Sequence, residues 1–125
     1  MQEADLRQAN MRRADLRDAD LLEASLHGAD LEAAFCRAAN FCLADMRDAC
    51  CREAVFSLAD LQGGILKNAD FRGAKIQDAR LAGADLSGTK LQAADLLDAL
   101  GMTNEQVNQA SIDEKTRLPD YLARG

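Results

Sequence analysis

One large apolar residue recurs at every fifth position over most of this 125-residue chain. We call this position i. It runs through nineteen consecutive units, from Leu6 to Leu96, without an insertion or a deletion. Position i−2 is alanine in every unit except at Gly64 and Thr89, and position i−1 is Asp or Asn in eleven units. Such self-similarity is typical of architectures in which each repeat stacks on its neighbour.

A period of five matches neither the 3.6-residue period of an α-helix nor the two-residue period of a strand. The pattern fits a chain that turns a corner in every unit, so that four units close a square coil of 20 residues. Stacked coils would pair their backbones at about 4.8 Å. Positions i and i−2 would then fill the interior, while i−1, i+1 and i+2 face water. Glycines at i+2 permit a positive φ at some corners, which leaves the turn type open. These glycines are Gly63, Gly73, Gly83 and Gly88.

The tandem A-[D/N]-[L/F]-x-x, seen in ADLRQ, ANMRR and ADLRD, resembles the pentapeptide-repeat family over roughly residues 4–98. The resemblance implies an all-β fold, a right-handed quadrilateral β-helix (a β-solenoid), which here would have about five 20-residue coils. It implies no particular function, because one fold hosts many functions. We therefore expect a repeat domain over residues 1–100 and a C-terminal cap helix and tail over residues 101–125.

The repeat stops at Leu100-Gly101, and the following residues predict a cap. Thr103 and Gln106 form a capping-box pattern, which favours a short α-helix over about residues 104–110. This helix would place Val107 on the last coil, and similar endings follow the repeats in relatives. No comparable cap precedes the first coil. We expect that coil either to fray or to be covered by a second copy in a head-to-head homodimer.

Composition excludes several classes of function. The formal net charge of −6 argues against direct binding to nucleic acid or to an anionic membrane. No stretch approaches the ~20 apolar residues of a membrane-spanning helix. The N-terminus lacks the basic and apolar segments of a secretory signal, which predicts a cytoplasmic protein.

The sequence also lacks the usual signatures of an enzyme. Its cysteines match no zinc-ligand spacing, no nucleotide-binding motif is present, and a convex rod offers no obvious cleft. A catalytic arrangement that needs histidine would have to use His27. We predict no enzymatic activity, no cofactor and no metal. Cys36 and Cys51 occupy interior positions, whereas Cys42 and Cys50 face outward and are predicted to be accessible thiols.

Stacking at 20-residue intervals predicts two candidate surfaces. A candidate basic ridge follows position i+1 on two neighbouring sides, and it is either a solvated face with weak ion pairs or a site for an acidic or phosphate-bearing partner. Its residues are Arg7, His27, Arg47, Lys67, Arg12, Arg52 and Arg72. A candidate interaction patch consists of apolar side chains at outward positions, which either tuck against the coil or contact a protein. Its residues are Phe35, Val55, Leu58, Leu22, Cys42 and Leu43.

Two non-enzymatic hypotheses remain. The first is a rigid protein-interaction or structural module, with a homodimer formed through the first coil or the apolar patch as one form of contact. The alternative is a DNA-mimicking binder of DNA gyrase, a role found in the quinolone-resistance members of the family that this chain resembles. That role would need a large acidic surface, whereas residues 1–100 carry 17 acidic and 12 basic residues.

Overall fold

The computed structural model describes residues 3–122, in which the chain winds as a continuous square coil. Parallel backbone bridges join residues 20 positions apart, from Asp5 and Ser25 at one end to Arg80 and Leu100 at the other. Each bridge involves a single residue at position i−1, because the chain turns again before a longer strand can form. Four units therefore return the chain to a position above its start. Residues 1–2, where the first coil was predicted to begin, lie outside the described residues, as do residues 123–125.

The bridged residues form four columns, and we number the faces of the coil by them. Face 1 carries Asp5, Ser25, Asp45, Ile65 and Asp85; face 2 carries Asn10, Asp30, Cys50, Asp70 and Lys90; face 3 carries Asp15, Phe35, Val55, Lys75 and Asp95; face 4 carries Asp20, Asn40, Asp60, Arg80 and Leu100. Each corner takes the number of the face that precedes it along the chain.

Backbone hydrogen bonds between coils run along the axis of the stack. The N–H of Leu26 donates to the carbonyl of Asp45 in the next coil at 2.7 Å, and the N–H of Asp45 donates back to Ala24 at 2.9 Å. At the corner, Gly28 donates to the next coil, while Ala29 donates to Leu26 at 2.9 Å and closes a turn. Of the five N–H groups in a unit, this scheme leaves only the one at i+1 without a backbone acceptor.

Every corner from residue 3 to residue 98 has a positive φ at position i+2. Fifteen of these residues are not glycine, including Ala33, Ala38 and Leu58, and their φ lies between 55° and 62°. A hydrogen-bonded turn in which only the third residue has a positive φ is a type II turn. The nineteen corners between Leu6 and Ala99 therefore share one turn type, which the glycine positions alone could not establish.

The core consists of the side chains at i and i−2, as the pattern predicts. From Leu21 to Leu96 every residue at position i is at most 2% exposed. Phe41, Phe56 and Phe71 pack in succession through the middle of the stack, with ring centroids 5.4 and 5.2 Å apart. Cys36 and Cys51 are buried beside them, as predicted. The large residues of the first coil are only half-buried.

The C-terminal segment begins with α1, Asn104–Gln109. The predicted capping box is confirmed, because Thr103 accepts the N–H of Gln106 and the Gln106 side chain accepts the N–H of Thr103. After α1, Ser111 bridges to Lys90 and Arg117 bridges to Asp95, which extends faces 2 and 3 by one level.

Side chains of this segment bind carbonyl groups of the last coil. The amide nitrogen of Gln106 donates to Leu81 and Ala84 at 2.9 and 3.0 Å. Thr116 and Tyr121 donate in the same way to Leu91 and Ala99. Over residues 3–122, no helix has the length and apolar character needed to cross a bilayer.

Candidate interaction surfaces

The recurring Asp and Asn at position i−1 have a structural role. In each of the eleven units that carry one, its side-chain oxygen accepts the N–H of position i+1, the group that the backbone scheme leaves free. Asp60, for example, accepts from Gln62 at 3.0 Å, and Asn40 accepts from Cys42 at 2.9 Å. These Asp and Asn side chains therefore complete the corner, and the aspartates among them are not simply charges displayed to solvent.

Four of these acids also bind an arginine at i+1, in an arrangement that we call the Asp-x-Arg fork. One carboxylate accepts the backbone N–H, Nε and Nη2 of the same arginine. The four forks are Asp5–Arg7, Asp15–Arg17, Asp45–Arg47 and Asp70–Arg72. The hydrogen bonds from the arginine lower the pKa of Asp5 to about 2 and that of Asp15 to about 2.

Forks and other ion pairs occupy most of the candidate basic ridge. Arg7, Arg47 and Arg72 belong to forks, and His27 Nε2 lies 3.0 Å from Asp48. Arg12 lies 3.7 Å from Glu32. Within residues 3–122, Arg52 and Lys67 have no carboxylate within 4 Å. The geometry therefore favours a solvated face with ion pairs over a dedicated anion site.

The candidate apolar patch is divided between two parts of the surface. Phe35 and Val55 are neighbours on face 3, and Leu58 lies on corner 3 beside them. The other three residues, Leu22, Cys42 and Leu43, lie on corner 4. The polar column of face 4 separates the two groups, because a whole unit of the repeat lies between these corners. Phe35, Leu58 and Leu43 are 49%, 47% and 55% exposed, whereas Val55, Leu22 and Cys42 are half-buried.

Two adjoining grooves open beside Phe35. One has a volume of about 240 Å³ and is lined by Arg13, Asp15, Arg17 and Phe35. The other, of about 400 Å³, shares Asp15 and Arg17 and adds Asp18 and Arg37. Sequence reasoning missed these arginines because it sought basic residues only at position i+1 and on only two sides, whereas Arg17 and Arg37 lie at i+1 on a third side and Arg13 lies at i+2. Their signal was available, since all three lie within one coil of Phe35.

The cysteines and acids do not combine into a reactive centre. Burial raises the pKa of the Cys36 thiol to about 12, and it also raises the pKa of the Cys51 thiol well above its ordinary value. Among the described residues, Asp30, Glu32 and Cys50 bring three ligand-type atoms within 4.8 Å of one another. Arg12, however, lies 4.0 Å from Asp30 and 3.7 Å from Glu32, so a cation already faces both carboxylates.

Comparison with known proteins agrees with this architecture. A family model described as pentapeptide repeats matches eight copies, over residues 1–35, 24–63 and 65–99. A search of curated protein sequences gave no significant match.

Several solved structures are similar. Rfr23, a pentapeptide repeat protein from the cyanobacterium Cyanothece 51142, has 25% identity and a TM-score of 0.57 over 80% of this chain, which spans 64% of that one. The pentapeptide repeat protein alr5209 from Nostoc Pcc 7120 has 30% identity and a TM-score of 0.51, covering 87% of this chain and 84% of that one. QnrB1, a plasmid-mediated fluoroquinolone resistance protein, has 20% identity and a TM-score of 0.34, covering 90% of this chain and 66% of that one. The similarity to QnrB1 is too low to carry a functional argument.

Proposed function

This chain belongs to the pentapeptide-repeat family, and from that premise we propose that it is a non-enzymatic, rigid module whose outer faces bind another protein. We include in the proposal a right-handed quadrilateral β-helix of about five coils, closed at its C-terminal end by α1 and the tail. The 20-residue spacing of the bridges and the bonds of Gln106 to the last coil support this arrangement.

The observation that carries the proposal is the exposure of large apolar side chains at outward positions. Most units place an Asp or Asn at i−1, where it completes the corner, but residue 35 is a phenylalanine that is 49% exposed. Leu58 and Leu43 are similarly exposed at position i+2, where they also adopt a positive φ. Exposed apolar surface is typical of sites that contact a partner.

Site-specific photo-cross-linking tests the proposal. A benzophenone amino acid would replace Phe35 or Leu43, with Lys90 on face 2 as the control position. In cells that naturally express the protein, we expect one discrete adduct from position 35 or 43 and none from position 90. Equal labelling from all three positions, or no adduct at all, would contradict a specific interface.

We do not extend the proposal to DNA gyrase. Arginines bind four of the acids that could imitate a phosphate backbone, and this reduces the acidic field that such mimicry requires. Inhibition of gyrase supercoiling by the purified protein would revive that alternative. The homodimer and the cytoplasmic location stay predictions from the sequence.

A further inference from the structure

Arg37 carries the donors of an Asp-x-Arg fork without the acid that completes one. One coil below it, Arg17 donates its backbone N–H, Nε and Nη2 to Asp15 at 3.1, 2.8 and 2.7 Å. Arg37 occupies the same i+1 position of corner 3, but its i−1 residue is Phe35. In the described part of the chain, neither the backbone N–H nor the guanidinium of Arg37 has a hydrogen-bond acceptor, and no carboxylate lies within 4 Å.

Arg37 gives this part of the surface a small net positive charge, although the whole chain is acidic. The two grooves beside Phe35 contain Arg13, Arg17 and Arg37 against Asp15 and Asp18. Asp15 is committed to Arg17, and Asp18 lies beyond 4 Å from the Arg37 guanidinium. Arg13 also has no carboxylate within that distance among residues 3–122. The local charge therefore complements a carboxylate.

An apolar strip continues from this point along face 3. Phe35 is followed by Val55 on the same column and by Leu58 on the adjoining corner. Val55 also stands where an acid would accept the N–H of Ser57, and that N–H has no acceptor within the described ranges. Face 3 thus places apolar side chains next to donors that the repeat elsewhere pairs with aspartate.

We propose that this part of face 3 binds an acidic peptide segment of a partner protein. An Asp or Glu carboxylate of the segment accepts the hydrogen bonds of Arg37, and a neighbouring apolar side chain packs on Phe35 and Leu58. A guanidinium matches a carboxylate in two parallel hydrogen bonds. Single-stranded nucleic acid fits less well, because the net charge of −6 repels a long polyanion and the strip is aliphatic beyond Phe35. The inference rests on the proposed function and names the chemistry of its partner.

Two labelled peptides and two matched variants test the inference. The first peptide has about ten residues, enough to cross three coils at roughly 3.3 Å per residue, and alternates Asp or Glu with Leu or Phe. The second replaces each acid by its amide. We expect fluorescence anisotropy to give at least about tenfold tighter binding for the acidic peptide, since it alone supplies a charged acceptor to Arg37.

The decisive variant is Phe35→Asp, which restores the repeat pattern and supplies Arg37 with an internal acid. It is expected to fold, as its thermal unfolding would verify, and to weaken binding of the acidic peptide at least about tenfold. The control is Cys50→Asp, which builds the same fork with Arg52 on face 2 and adds the same charge. Its affinity should stay within about twofold of the wild-type value.

Four results would overturn the inference: equal binding of the acidic and amide peptides, no effect of Phe35→Asp, an equal loss in both variants, or tighter binding of a single-stranded oligonucleotide. A wild-type dimer that Phe35→Asp dissociates in light scattering would assign the face to a second copy instead. If the peptide fails but position 35 still cross-links to a partner, only this inference falls, and the proposed function stands.

Discussion

At the scale of single residues, one hydrogen bond explains the aspartate that recurs through this sequence. The corner leaves the N–H at i+1 without a backbone acceptor, and a side chain two residues earlier has the length to reach it. Asp45, for instance, accepts the N–H of Arg47 at 3.1 Å. Asp and Asn also make such bonds to the backbone two residues on in ordinary turns. The repeat is therefore a corner motif as much as a packing motif.

The corner also predicts where a substitution to glycine stabilises the fold. Ala38 is exposed and has a φ of 61°, a conformation that costs an L-residue about 1–2 kcal/mol. Ala38→Gly is expected to raise the free energy of unfolding by about 1 kcal/mol, because glycine adopts this conformation without that cost. Urea denaturation measures the change.

The neighbouring alanine provides the control. Ala39 is 1% exposed, has no positive φ and packs inside the coil. Ala39→Gly should destabilise the protein by about 1 kcal/mol, through loss of a buried methyl and greater freedom of the unfolded chain. A loss of stability in Ala38→Gly as well would show that the corner does not strain its side chain.

The interior of each unit could be predicted from the sequence, but the turn type of the corner could not. The five-residue period was enough to place Leu21 or Phe56 inside, because burial leaves a direct periodic signal. The uniform turn was harder to see, since nine of the nineteen residues at i+2, among them Ala38 and Leu58, are not Gly, Asn or Asp, the types that adopt a positive φ most readily. The division of the interaction patch was available from the sequence but was not drawn from it. Leu58 and Leu43 are 15 residues apart, so a 20-residue coil places them on different corners with a whole face between them.

At the scale of elements, α1 depends on its contacts with the last coil. A helix of six residues is too short to be stable alone, so its packing must stabilise it. The capping box was visible in the sequence, and it located α1 to within one residue. The continuation of faces 2 and 3 was not visible, because six residues separate Ser111 from Arg117 where the repeat uses five.

Gln106 provides the test at this scale. Its amide group bonds the carbonyls of Leu81 and Ala84 while its oxygen accepts from Thr103. Gln106→Ala is expected to lower the free energy of unfolding by about 2–3 kcal/mol, because it leaves the buried carbonyl of Ala84 unpaired, removes a second bond to Leu81 and breaks the capping box. The control is Asn108→Ala, an exposed change in the same helix that should cost less than about 0.5 kcal/mol. Equal losses in the two variants would mean that Gln106 acts only through helix propensity.

At the scale of the whole molecule, the forks make the stability of the fold depend on pH in the acidic range. The pKa values of Asp5 and Asp15 are about 2 in the folded chain, and Asp45 is lowered as well. An unfolded Asp titrates near ~3.9. Because the folded values are lower, the stabilisation is present above about pH 4 and is lost as the pH falls towards 2.

Urea denaturation at a series of pH values checks this expectation. The urea concentration at the unfolding midpoint should decrease as the pH is lowered from about 4 to 2. The decrease should be modest, because solvent screens exposed ion pairs. Asp45→Asn retains an acceptor for the N–H of Arg47 but not the charge, so its midpoint should fall less steeply. A midpoint that stays level or rises on acidification would exclude this role for the forks.

The direction of the inter-coil hydrogen bonds has a mechanical consequence. These bonds lie along the axis, as between Leu26 and Asp45. A pull on the two ends would therefore break the bonds of one coil boundary at a time, and would not shear all the boundaries together. Each boundary that opens releases 20 residues, or about 70 Å of extended chain. Under tension, this short rod would therefore lengthen in a series of similar steps, with the coils that remain still wound.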